Sequence, residues 1–458
     1  MENNFSKAIS YTAKIIDIWL PYKIKYDQIP GLSVGITYKG KLVYQAGFGY
    51  AGLDPKRKAT PKTCYRIGSI SKMFTTIAIL QLCEQGKLNL DDSVEKYLPW
   101  FKAKNKKTNS SNITIRQILS HTAGIFRDGT TPHWITDKFP NAKELKDQVS
   151  IKTIVFENLT RFKYSNYGFA LLGEIIKKAS GQNYNQYVNE HIIKKLKLKN
   201  TAPDLSEKFF NRLATGWSKV IPDEKRQKFK HIKTKAYSPA TGFISNVVDL
   251  AKFLSALSFN CKNKDDLFNR ESKKEMFRKY WETGREDEFY GLGNIIYKIQ
   301  GRKIIGHSGG FPGFTSRIAL DIKNDIGVIT LSNSNNLSVG FINSSILETI
   351  YNLFDKKDKY IKGNKKLPNK KRYQGIYRSR WGDICVVDTE ENLVAFNPAT
   401  NSPIEYGTLL RPIGKHKFII ETKSGFDSLG EIAEFIFSDK SKRVKKLMWG
   451  PAPIEKIE

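Results

Sequence analysis

Apolar and polar residues recur along this chain with two periods, and each change of period marks a new element. Near the start, Ile9, Ala13, Ile16 and Leu20 fall on one face at helical spacing, interrupted by Lys14 and Asp17, which predicts an amphipathic helix. Residues 31–38 then read as a strand, Lys39-Gly40 as a short polar turn and 41–49 as the returning strand of an antiparallel hairpin. Phe74, Ile77, Ala78 and Leu82 restore the 3–4 spacing, so a helix with one buried face is expected, stopped by Gly86. The opening order is helix, strand, strand, helix. A further helix is expected over 90–98, where Asp92 and Glu95 have capping-box spacing.

From about 113 to 234 the pattern is mostly helical, with helices expected over 113–120, 166–179 (closed by Gly181) and 184–196. Strand signals return at 290–297, 303–306, 315–321 and 326–332, and a helix follows over 339–354. Early and late strands separated by a helical block imply one sheet completed from both ends of the sequence. The expected fold class is therefore α/β (α+β): an antiparallel sheet flanked by helices, with a helical subdomain inserted at about 88–235. Residues 1–354 would form this domain, and 355–371, rich in Lys, Asn, Gly and Pro, a linker. Beyond it, short strands at 375–378, 384–387, 393–396, 417–422, 431–438 and 443–449 predict a small β-barrel or sandwich over 372–458.

Composition is that of a globular protein, and charge is its unusual feature. The net charge is +31, dispersed over Lys-rich patches at 104–107, 370–372 and 440–446. Neither a Cys/His finger nor an RNP-like stretch accompanies it, so no nucleic-acid partner is expected; weak association with anionic surfaces is the remaining role for the charge. Cys64, Cys83, Cys261 and Cys385 are scattered, without CxxC or metal-ligand spacing, so neither a bound metal nor a disulfide framework is expected. The first residues lack the apolar core of a signal peptide, and no apolar run reaches the ~20 residues needed to span a bilayer. A soluble, cytoplasmic protein is the expectation.

The candidate chemistry begins at the entry to the 74–82 helix. Ser69 and Lys72 lie at i and i+3, on one helical face, so an amine can reach the hydroxyl and activate it. Unpaired N–H groups at the helix start could face a developing oxyanion. Alone, Ser-x-x-Lys is too short a pattern to mean anything beyond a surface helix. Tyr164-Ser165-Asn166 opens the 166–179 helix; a phenol can shuttle protons and an amide can both donate and accept, although a core aromatic followed by an N-cap Asn is the bland reading. His307-Ser308-Gly309-Gly310 ends one strand and leads through Phe311-Pro312-Gly313 into the next, with small residues that let a substrate approach the backbone.

These three elements, in this order, resemble the motifs of the serine β-lactamase and penicillin-binding-protein superfamily, in particular its class C β-lactamase-like serine hydrolases, D-aminopeptidases and esterases. Further similar stretches are Gly86 to Val94, Tyr97-Leu-Pro, Ile113 to Gly124 and Ala240-Thr-Gly-Phe-Ile-Ser, so the likeness covers about 25–350. The tail is similar to the small, lipocalin-like barrel appended to many members. The resemblance implies Ser69 as acylated nucleophile, Lys72 as its base and Tyr164 as the second acid/base. It implies Asn166, His307, Gly309 and Gly310 as substrate-binding residues, with the N–H groups of Ser69 and Gly310 forming an oxyanion hole. His121, in Ser-His-Thr-Ala-Gly, reads as structural.

His307 stands where the lactamase pattern has the Lys of Lys-Thr-Gly, and it offers a cation only when protonated. With no Glu-x-x-Leu-Asn deacylation pattern either, antibiotic hydrolysis is the weaker expectation. The functional expectation is a serine hydrolase, forming a covalent acyl-enzyme with a small-molecule or short-peptide substrate: an amide, a D-amino-acid peptide or an ester. No cofactor or metal is required. A penicillin-binding D,D-carboxypeptidase or weak β-lactamase is the alternative on the same chemistry. A non-catalytic scaffold is the alternative outside it, and retention of Ser69, Lys72 and Tyr164 together argues against that.

Overall fold

The computed structural model describes residues 2–102, 112–150, 153–260, 267–335, 338–355, 370–389, 392–422, 427–438 and 443–457. Most of the expected linker, Cys261 and the Lys-rich patches at 104–107 and 440–442 lie outside the described residues. Along the chain come α1 (Glu2–Tyr26), β1 (Gly31–Tyr38), β2 (Lys41–Leu53), β3 (Lys56–Lys58), β4 (Tyr65–Arg66) and α2 (Ser71–Glu84). Helices α3 (Val94–Tyr97), α4 (Ile115–Leu119), α5 (His133–Thr136), α6 (Ala142–Asp147), α7 (Asn166–Ser180) and α8 (Tyr184–Val188) form the inserted block. Next are β5 (Ile244–Ser245), α9 (Val247–Leu257), α10 (Arg270–Met276), β6 (Trp281–Glu282), β7 (Phe289–Tyr290) and β8 (Ile295–Ile299). The sheet closes with β9 (Arg302–Phe311), β10 (Phe314–Asp321) and β11 (Ile326–Ser332), before α11 (Ser338–Asp355).

The expected sheet is present. Nine strands run in the order β3-β2-β1-β11-β10-β9-β8-β7-β6, and β1, the first strand in the chain, pairs antiparallel with β11, the last strand of this sheet, Val34 opposite Thr330. Two details differ from expectation for local reasons. Ser93, not Asp92, caps α3 by accepting from Lys96 N, while Asp92 accepts instead from Asn89 N, Lys96 Nζ and Tyr97 Oη. Helix α2 is buried all round rather than on one face, since residues 71–82 are all buried and Phe74 stacks on both Phe243 and Phe253. Its Lys72 is thereby taken wholly out of water.

The described residues divide into two compact units, Ile29–Asn343 and a second made of Met1–Gln28 with Ser344–Glu458. The expected boundary keeps residues 1–354 together, whereas here α1 falls in one unit with the C-terminal strands. Phe5 stacks on Phe354 at 3.7 Å, and Tyr22 Oη donates to Asp383 at 2.6 Å. The C-terminal strands form a closed eight-stranded barrel, β12 (Gly375–Ser379), β13 (Gly382–Asp388), β14 (Leu393–Phe396), β15 (Thr408–Gly414), β16 (Lys417–Glu421), β17 (Ile432–Phe437), β18 (Val444–Trp449) and β19 (Ala452–Lys456). Six of these eight were legible. The other two, β15 and β19, carry Pro412 and Pro453, which weaken a strand signal; in β15 the register shifts between Pro412 and Gly414 to absorb the ring. Tyr373, Tyr377, Phe418 and Phe435 fill the barrel interior.

Candidate active site

Ser69 sits in a 3-10 turn, Gly68–Ile70, that joins β4 to α2. Gly68 has φ +52, and a Cβ there would lie 2.6 Å from Gly310 O and 2.8 Å from Gly310 N. Only glycine lets the turn sit this close to β9. Gly309, expected to bind substrate, is placed on the buried face of β9, where a Cβ would collide with Ile67 O and Ser316 Oγ. Its part is to let the strand close on the Ser69 turn. Gly310, by contrast, is exposed and has open space in front of it. Pairing of β8 with β9 ends at Gly306, so among the described strands residues 307–311 have β10 on one side only. Buried Arg66 anchors the turn through Gly242 O at 2.9 Å and Ile232 O at 2.5 Å.

Lys72 Nζ lies 3.1 Å from Ser69 Oγ, 2.7 Å from Asn166 Oδ1 and 2.8 Å from Ala240 O. Burial drives its pKa well below the ordinary lysine value, with Asp128 opposing the shift. In its neutral form, which burial favours, the amine has two hydrogens and one lone pair. Asn166 Oδ1 and Ala240 O can only accept, so they take both hydrogens and leave the lone pair for the Ser69 hydroxyl to donate into.

Ser165 caps α7 through its side chain, which accepts from Gly168 N, so Asn166 is the first helical residue and its amide is free for Lys72. The amide is oriented from behind, because Asn166 Nδ2 donates to Asp128 Oδ1 at 2.7 Å. Tyr164 lies one residue before the cap, its ring centroid 4.7 Å from Lys72 Nζ. Burial raises its phenol pKa, and a hydrogen bond with Ser69 works the other way. His121 holds this segment from both sides: its carbonyl accepts from Lys163 N at 2.8 Å and its Nδ1 from Ser165 N at 3.1 Å. Its ring leans on Tyr164 at 4.2 Å. That is the structural role expected of it.

His307 is buried, and its hydrogen bonds fix its tautomer. The Ser308 carbonyl, 2.6 Å from Nδ1, can only accept, so Nδ1 carries the hydrogen and Nε2 accepts from Tyr290 Oη at 2.9 Å. Burial lowers the imidazole pKa to about 3, against a weaker contribution from Ser308. His307 is therefore a neutral residue at physiological pH and supplies no cation of the kind that a Lys-Thr-Gly lysine would.

Ser69, Tyr164, Asn166, His307 and Gly310 border one cavity of about 1020 Å³, while Lys72 lies just beneath it. Sequence reasoning missed Asp128, Trp134 and Tyr290. Asp128 Oδ1 accepts from both Asn166 Nδ2 and Trp134 Nε1, the latter at 2.9 Å. Asp128 and Trp134 come from the loops between α4 and α7 and from α5, where no periodicity announces which side chain turns inward. Tyr290 was legible only as a strand residue.

A family model described as Beta-lactamase matches residues 23–347. The chain belongs to that family. With it comes membership of the serine β-lactamase and penicillin-binding-protein superfamily. Protein flp of Staphylococcus aureus (strain MW2) is 28% identical over 389 residues, which cover 83% of this chain and 73% of that protein. Penicillin-binding protein 4* of Bacillus subtilis (strain 168) is 28% identical over 310 residues, 64% of this chain and 66% of that protein. Among solved structures, the octameric penicillin-binding protein homologue from Pyrococcus abyssi superposes with a TM-score of 0.64 at 25% identity, covering 95% of this chain and 98% of that one. A D-stereospecific amidohydrolase from Streptomyces sp. shares the fold with a TM-score of 0.59 at 23% identity, covering 76% and 97%. No helix among the described residues is long and apolar enough to cross a membrane.

Proposed function

We propose that the protein is a serine hydrolase that acts through a covalent acyl-enzyme on a small amide, D-amino-acid peptide or ester. Ser69 Oγ attacks the acyl carbon as its proton passes to Lys72 Nζ. The N–H groups of Ser69 and Gly310 receive the oxyanion, each worth about 2.7–4 kcal/mol in comparable sites. The bond to the leaving group then breaks, and Tyr164 delivers a proton to the departing nitrogen or oxygen. Water attacks the Ser69 ester by the same route in reverse and releases the acid. The observation that carries this reading is the Lys72 amine, buried and with both acceptor-only partners aimed at its hydrogens, 3.1 Å from Ser69 Oγ.

The test is intact-mass spectrometry after exposure to a fluorophosphonate and to a panel of acyl donors. One adduct on Ser69, lost in Ser69→Ala, is the expected result. Labelling at Ser71 would overturn it. Ser71 is buried, donates to Gly68 O at 2.5 Å and accepts from Phe243 N at 3.0 Å, so its hydroxyl is already committed.

A further inference from the structure

The cavity has two ends, and the chemistry says which half of a substrate each would hold. Strand β9 rises about 3.3 Å per residue, so His307 and Phe311 are roughly 13 Å apart along it. At the His307 end stand Tyr164 and Tyr290, with Thr283, Arg285 and Glu288 from the adjoining β6–β7 hairpin. At the Phe311 end stands Trp134, its ring edge-on to Phe311 at 5.9 Å. Phe229 belongs to the same end: its N–H bonds Gly216 O, and Gly216 packs against Gly313 and Phe314 of the turn after Phe311. A leaving group must meet its proton donor, so it belongs beside Tyr164. The acyl portion then points toward Phe311.

Charge separates the two ends as well. The cavity border carries four formally charged side chains, and they cancel in pairs. Arg127 Nε is 3.2 Å from Asp128, and Arg285 lies 3.7 Å from Glu288. Thus a chain of net charge +31 presents a substrate border of net charge zero. Both guanidiniums are mostly exposed, at 64% and 78%, whereas the Glu288 carboxylate is 15% exposed and is fixed by Thr283 Oγ1 at 2.7 Å. At the leaving-group end the buried member of the pair is the Glu288 carboxylate, its Arg285 partner lying out in solvent, and it stands beside a neutral imidazole, a poor place for a second carboxylate. The acyl end is an aromatic wall tied to the reacting groups, since Trp134 and Asn166 donate to the same oxygen of Asp128. Phe311 is pinned too, its carbonyl accepting from Asn335 Nδ2 at 3.0 Å.

We infer that the site selects esters or amides with a bulky aromatic acyl group and a leaving group that bears no free carboxylate. This rests on the serine hydrolase reading above and narrows it. It separates the protein from carboxypeptidase chemistry, in which the departing amino acid carries a carboxylate.

Three esters test it: the phenylacetyl and acetyl esters of 4-hydroxybenzamide, and the phenylacetyl ester of 4-hydroxybenzoate. Phenylacetyl should exceed acetyl in kcat/KM by about tenfold or more, the effect of burying one aromatic ring. The benzamide leaving group should exceed the benzoate by about tenfold or more, from the like charge of Glu288. Phe229→Ala should narrow the first ratio and Glu288→Gln the second. Each readout is a ratio measured on one protein, so a general loss of activity does not mimic it. Equal rates for phenylacetyl and acetyl, or a preference for benzoate, would overturn the inference and leave the hydrolase reading standing. Failure of every ester and of the fluorophosphonate to modify Ser69 would overturn both.

Discussion

The neutrality of His307 has a thermodynamic signature that needs no substrate. Its folded pKa of about 3 lies below the 6.5 of a free histidine. Between these values the unfolded chain binds a proton that the folded chain does not. Stability therefore rises with pH across this window and is lost as the solution is acidified through it. The slope is about 1.4 kcal/mol per pH unit, so relative to pH 7.5 the loss is roughly 1.4 kcal/mol at pH 5.5 and roughly 2.7 kcal/mol at pH 4.5. His307→Gln keeps a side chain that can hydrogen-bond but cannot be protonated, so it should lack this component whatever its stability at neutral pH. Amide hydrogen exchange in β9 and β10 reads the unfolding of this unit. His121 and His231 also have pKa values lowered by burial, His231 to about 4, and they add parallel losses. The measured quantity is thus the difference between wild type and variant, which should grow by the amounts above. Wild type and His307→Gln falling in parallel from pH 7.5 to 4.5 would refute the neutral, buried imidazole, and with it the account of the leaving-group end.

Two further outcomes follow from the chain of bonds behind Ser69. Lys72→Ala and Tyr164→Phe should each lower kcat by several decades, and the double variant should be little worse than either, because groups in one relay are not additive; multiplying losses would assign them to separate steps. Asp128→Asn removes the charge that raises the Lys72 pKa, so the acid limb of kcat/KM against pH should move to lower pH. Its kcat should also fall by about tenfold through the loosened Asn166 amide; an acid limb displaced to higher pH would contradict the arrangement.

Much of the fold was legible because its signals are local. The Lys39-Gly40 turn, the αL cap at Gly181 and the apolar runs of β10 and β11 are each written within a few residues. The motif residues Ser69, Lys72, Tyr164, Asn166 and His307, singled out by spacing and by resemblance, come together around one cavity or just beneath it. What one sequence hides is the environment that decides chemistry. The tautomer of His307 depends on Tyr290, 17 residues away, and the amide of Asn166 on Asp128, 38 residues away. The expectation that His307 could act as a cation treated the residue type without its burial. Gly309 shows the same limit from the other side: the glycine is needed, but to admit the backbone of Ile67 rather than a substrate.

The smaller unit is assembled from the two extremes of the chain, and this fixes an order of events during synthesis. Helix α1 leaves the ribosome before the larger unit, with Ile9, Ile16, Trp19 and Leu20 on a face that the finished protein buries. Its partners, Phe354 and the strands from β12 onward, are made only after residues 29–343. At about 5–20 residues per second, that interval is on the order of a quarter of a minute to a minute. The larger unit has time to fold within it, while α1 waits for the rest of its own unit. A shortened version ending before residue 344 would leave α1 without the rest of its unit. Removing residues 1–28 along with the barrel is therefore the cut that respects how the chain is built.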